Sequence, residues 1–107
     1  MTVAKPVRLR TRAVADVDTA VDYYRVHAGA GVAGRFIDSI ERALTRIERS
    51  PQAGALRFGF ELDIPGLRHV PLERFPSAVF YLGGQTEIDV WRVLHTSRDL
   101  PTALVEH

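Results

Sequence analysis

Apolar residues recur along this chain at two different periods, and the change comes at Pro51. Before it, Val14, Val17, Val21, Tyr24 and Ala28 repeat every three or four positions. Ala33, Phe36, Ile37, Ile40, Leu44 and Ile47 do the same further on. Each set makes one stripe on a helix. Gly29-Ala30-Gly31 lies between them, a connection so short that the two helices must form an antiparallel hairpin. Thr11 is placed to cap the first helix, with Asp16 and Asp18 near its positive end, and the second starts near Val32. Pro51 and Gly54 stop the second helix and turn the chain.

Beyond that break the period falls to two. Residues 67–72 alternate Leu67, His69 and Pro71 against Arg68, Val70 and Leu72, with Pro71 marking an edge or a strand end. Residues 77–82 and 87–94 are rich in β-branched and aromatic side chains, and Gly83-Gly84-Gln85 divides them, so they form a β-hairpin. A short strand, Val7-Arg8-Leu9-Arg10, precedes the helices. Residues 56–62 fit a loop or a short strand, and 99–105 a last helical turn or a docked tail. The expected fold is α+β: a short N-terminal strand, a helical hairpin, then three or four antiparallel strands packed on the helices. One sheet face is then covered and the other open, which predicts a chain poorly stable without a partner.

Composition narrows the class. With 107 residues and 46% hydrophobic content, the chain makes a single domain, residues 1–107, with one core. No apolar run approaches the roughly 20 residues that span a bilayer, and the first residues lack the apolar core of a secretory signal. A soluble cytoplasmic protein without membrane contact is expected. There is no cysteine, hence no disulfide and no thiolate metal ligand. His27, His69, His95 and His107 do not share the short spacing of a metal site, so neither metal nor cofactor is expected. A net charge of +1 counts against nucleic acid as the primary partner, because such binding rests on many phosphate contacts.

Ionisable groups gather where the last strand ends: Arg92, His95, Arg98 and Asp99, with Leu100 next. In strict alternation Trp91, Val93 and His95 share one face, and Ile88, Val90, Arg92 and Leu94 the other. The second set reads as the core side, with Arg92 as its anomaly, held by a carboxylate such as Asp89 or Glu87. Trp91 is then partly buried and available as a contact, since tryptophan and arginine dominate binding hot spots. His95 can bond a backbone carbonyl at the strand end or serve as an acid or base near neutral pH.

Ser50-Pro51-Gln52-Ala53-Gly54, Gly66-Leu67-Arg68, Val79-Phe80-Tyr81 and Val90-Trp91-Arg92-Val93-Leu94-His95 stand in an order and spacing that resemble the ParE toxins of the RelE/ParE superfamily. The resemblance covers about Val7 to Leu100. It implies the toxin of a type II toxin–antitoxin system that inhibits DNA gyrase by binding and is neutralised by a ParD-like antitoxin. On this reading no residue is catalytic, and Trp91, His95, Arg98, Asp99 and Leu100 are the candidate contacts. The RelE branch implies an alternative, a ribosome-dependent messenger endoribonuclease using His95, Arg92, Arg98 and Arg68, with Arg74 as a further phosphate ligand. That chemistry needs cations around the scissile phosphate and groups to move protons. The only lysine is Lys5, unlike the lysine-rich middle strands of those nucleases. A third reading is a non-toxic relative that only binds its antitoxin.

Overall fold

The computed structural model describes residues 5–97 and 100–105, with Val105 by its backbone alone. Strand β1 (Val7–Leu9) leads into α1 (Thr11–Ala28) and α2 (Ala30–Arg49). A short helix α3 (Arg57–Glu61), strands β2 (Arg68–Pro71), β3 (Ser77–Gly83) and β4 (Ile88–His95), and helix α4 (Leu100–Val105) complete the order. The sheet runs β1-β4-β3-β2. β2, β3 and β4 are antiparallel as expected, and β1 joins β4 in parallel, which makes the sheet mixed. No helix among the described residues is long and apolar enough to cross a membrane.

The helical hairpin turns at Gly29, whose φ of 94° favours glycine. Phe36, Ile40, Ala43 and Ile47 of α2 pack on Val70, Val79, Tyr81, Ile88, Val90 and Val93. On α1 the buried position is Ala13, and Val14 is exposed. Val17, Val21 and Tyr24 pack on the core as the spacing predicts, joined by Ala20, while Ala13 replaces Val14 at the buried start of the stripe, and its methyl side chain lets the helix approach the sheet closely. Thr11 does not cap: Arg10 occupies the cap position and no side chain bonds there.

The sheet's other face is not open. Residues 57–61 form a helical turn in place of a loop or strand, and Phe58 packs on this face with Leu67 and Phe80. Leu100, Ala103 and Leu104 of α4 lie against Trp91 and Leu94. A β-bulge lies at Trp91: Phe80 pairs with Arg92 and Tyr81 with Val90, leaving Trp91 as the extra residue, so Trp91 keeps the face that alternation gives it while Val93 and Leu94 exchange theirs. Ile88, Val90 and Val93 therefore face the helical hairpin, whereas Trp91 and Leu94 face α4. Trp91 is buried, not half exposed.

The Ser50-Pro-Gln-Ala-Gly54 break is tied to two strands. The Tyr81 hydroxyl donates to the Pro51 carbonyl at 2.7 Å and accepts from the Gly54 amide at 3.1 Å. Arg68 donates through Nη1 to the carbonyls of Gln52 (3.1 Å) and Gly54 (2.8 Å). A Cβ on residue 54 would stand 2.5 Å from the Tyr81 hydroxyl, so glycine is required by space. Three of the sequence motifs thus form one lock that fixes the end of α2 to the sheet.

Candidate functional site

Arg92 is buried and holds Asp16 of α1 in a two-pronged ion pair. Its Nε donates to Asp16 Oδ2 at 2.7 Å and its Nη2 to Oδ1 at 2.8 Å, while Nη1 donates to the Ala103 carbonyl at 2.9 Å. Asp16 Oδ2 also accepts from the Val93 amide at 3.0 Å. One guanidinium thereby joins α1, β4 and α4. The expected partners on its own hairpin serve others: Asp89 pairs with Arg10 at 2.6 Å, and Glu87 lies 3.8 Å from Arg8. Arg8 and Arg10, at the neighbouring strand β1, take those two carboxylates, and Asp16 on α1 takes Arg92 in their place.

Beside this pair lies an open groove of about 730 Å³ between α1 and the end of the β3–β4 hairpin. Asp16, Ala20, Tyr23, Tyr24, Val93 and His95 are among its lining residues. Helical spacing puts Asp16, Ala20 and Tyr23 on one face of α1, and the short side chain of Ala20 leaves the hollow. Tyr24 anchors its floor, with ring centroids 5.1 Å from Phe36 and 5.2 Å from Phe75. Burial raises the pKa of the Tyr24 phenol, and neighbouring Tyr23 adds to the rise, so it stays a protonated hydroxyl. Tyr23 is 59% exposed and stacks on His27 at 4.4 Å, an aromatic pair presented to solvent.

His95 stands exposed at the groove's rim. It does not bond a carbonyl: Nδ1 accepts from the Ser97 amide at 3.1 Å, with the Ser97 hydroxyl at 2.6 Å. An amide can only donate, so in the neutral ring the proton sits on Nε2. Among the described residues lining the groove, none is lysine or arginine.

The described members of the candidate nuclease set, His95, Arg92 and Arg68, do not converge. Arg68 pairs with Tyr81 and His95 with Ser77, four positions apart on β3, or about 14 Å along the strand. Arg68 is committed to its loop carbonyls and Arg92 to Asp16. Arg74 sits in the β2–β3 turn with φ of 66° and lines a different hollow, with Arg35, Asp38, Arg42 and Glu73. Of the candidate contacts, Trp91 and Leu100 are core, Trp91 being covered by Arg10 at 4.8 Å. Arg98 and Asp99 lie outside the described residues. Only His95 of that set is shown at a surface. Ala20, Tyr23 and Pro76, which build the groove with it, were not singled out by sequence as contacts. The exposed Tyr23 beside a core Tyr24 was the available signal.

Two comparisons with known proteins bear on this arrangement. A family model described as the ParE toxin of the type II toxin–antitoxin system, parDE, matches residues 7–100. A solved structure of the chromosomal ParDE TA system from P. aeruginosa is similar in fold, with a TM-score of 0.73 at 23% identity. The match covers 86% of this chain and 96% of that one. No curated protein matches significantly.

Proposed function

We propose that this chain, which belongs to the ParE toxin family of type II toxin–antitoxin systems, disables its target by binding it and cuts no bond. DNA gyrase is the target the family resemblance suggests, and a ParD-like antitoxin is the neutralising partner. The observation that carries the reading is the groove beside α1: apolar in its floor, polar at its rim, and lined by no cation among the described residues. Such a surface suits a protein partner, whose aromatic and aliphatic anchors it can desolvate. It does not suit a scissile phosphate, whose developing charge calls for fixed cations.

Neutralisation follows if the antitoxin covers the same groove. An amphipathic segment that orders on binding can lay its apolar face along Tyr23, Tyr24 and Val93 and exclude the target. No proton transfer is needed, so His95 acts as one contact among several.

Purified chain incubated with gyrase and relaxed plasmid, beside a ribosome programmed with message, tests this reading. Blocked supercoiling with intact message supports it. Cut message with unimpaired gyrase overturns it in favour of the nuclease. Inactivity in both assays, with antitoxin still bound, makes the chain a non-toxic relative.

A further inference from the structure

A second surface lies away from the groove, at the edge of the sheet that β1 forms. The parallel ladder to β4 uses alternate residues of the first strand. The Ile88 amide donates to the Pro6 carbonyl, and the Arg10 amide to the Val90 carbonyl, both at 2.9 Å. With Val7 paired to Ile88 and Leu9 to Val90, the amides and carbonyls of Val7 and Leu9 point to the outer edge. Their side chains pack inward against the helical core, so this backbone is held in extended form.

The same edge is cationic. Arg8, Arg10 and Arg12 line a hollow of about 480 Å³ with Glu87, Asp89 and Trp91, and Lys5 reaches the Gly84 carbonyl next to it. Among the described residues, Lys5, Arg8 and Arg10 thus stand against Glu87 and Asp89, with Arg12 beside them. Arg8 keeps three quarters of its side chain in solvent, and its contact with Glu87 is loose at 3.8 Å. The Arg10 guanidinium lies over the Trp91 ring, 4.8 Å from its centroid, which holds it at the hollow's wall.

We propose that the outer edge of β1 docks an acidic, extended segment of a partner protein, which adds to the sheet as a further strand. Donors and acceptors alternate on Val7 and Leu9, which matches a polypeptide backbone. A nucleic acid could answer the cations with its phosphates, but these only accept and leave the outward carbonyls without the regular row of donors that a peptide backbone supplies. Acidic side chains on alternate positions of the incoming strand reach Arg8 and Arg10 on the face away from the helices, and apolar ones between them extend the core beside Val7 and Leu9. This docking is separate from the groove and does not depend on gyrase being the target.

Amide NMR of the full chain, titrated with a blocked peptide of about ten residues alternating glutamate with valine, tests the proposal. The amides of Val7 and Leu9 should shift and gain exchange protection, and affinity should fall about tenfold between about 50 and about 300 mM salt. Arg8→Glu should weaken binding by about tenfold or more and Arg8→Gln by less, while Arg35→Glu on the far side of α2 changes nothing. Absence of binding, shifts centred on Tyr23 and His95, or equal binding by Arg8→Glu would overturn it. So would a single-stranded oligonucleotide that displaces the peptide and binds more tightly. In the first of these results the edge charges serve only to keep sheets apart.

Discussion

Arg92 on the central strand and Asp16 on the first helix meet through two hydrogen bonds of 2.7 and 2.8 Å, with both side chains nearly closed to solvent. A buried pair of this kind costs a great deal to halve and much less to remove whole, because a lone buried charge has nothing to offset its lost hydration. Asp16→Ala or Arg92→Ala should each lower stability by about 3–5 kcal/mol. The double variant should lose clearly less than the two added together. Arg92→Lys should not rescue, since one ammonium cannot span both carboxylate oxygens and the Ala103 carbonyl. Urea denaturation of the four proteins reads all of this.

The loop lock gives a second non-additive pair. Tyr81→Phe removes two hydrogen bonds at the Pro51–Gly54 turn and should cost about 2 kcal/mol. Gly54→Ala pushes a methyl group against the Tyr81 ring and hydroxyl and should cost about 1–3 kcal/mol. In the Tyr81→Phe background the 2.5 Å contact with the hydroxyl is gone, so the penalty for Gly54→Ala should shrink. Melting curves of the single and double variants decide it.

His69 sets part of the response to acid. Its ring lies between Phe58 and Phe80, at 4.8 and 5.7 Å, and Nδ1 has no hydrogen-bond partner among the described residues. Burial lowers its pKa; the Ala55 backbone bond opposes this and the Arg57 charge adds to it. The unfolded chain therefore takes up the proton more readily than the folded one. The stability contributed is complete above about pH 6.5 and declines as pH falls below that value. The fall in melting temperature between pH 7.5 and pH 5.5 should be smaller in His69→Gln than in the parent.

Helix α4 belongs to the fold. Leu104 is fully buried among Trp91, Leu94 and Phe80, so Leu104→Ala should cost about 2–5 kcal/mol. Deleting the chain from Leu100 onward should expose that cluster and produce an aggregating protein, measured by light scattering. The last helical turn or docked tail expected over residues 99–105 is both at once from Leu100 onward, a short helix packed on the sheet.

The two helices, the hairpin and the sheet were legible because each shows a clean period, and the Gly29 and Pro51–Gly54 stops fall where helices cannot continue. What alternation could not show was the bulge at Trp91, since one extra residue reverses every face assignment after it. That single shift hid the inward turn of Val93 and moved Leu94 to the other face, whereas Trp91 is buried because α4 covers the face it was expected to have. The covered second face was hidden for another reason: α3 and α4 are five and six residues long, too short to display a period. The groove is a product of tertiary packing between Ala20, Tyr23 and the hairpin end, and the adjacent Tyr23 and Tyr24 are its one local trace.

Tyr23 offers the cleanest test of the groove. It is exposed, so Tyr23→Ala should change stability by less than about 0.5 kcal/mol. Loss of an aromatic anchor should nevertheless weaken binding of target or antitoxin by about tenfold or more. His95→Gln should leave most of the inhibitory activity, whereas loss of a general acid or base would cost about 10²-fold or more. Inhibition assays on the two variants, side by side, separate contact from chemistry.

The most direct test of action by binding is a titration of supercoiling activity against added chain at several fixed gyrase concentrations. A binding inhibitor gives an endpoint that rises in proportion to the gyrase present and does not deepen with longer incubation. An endpoint independent of gyrase concentration, reached by trace amounts of chain and advancing with time, would contradict the account and point to a catalyst.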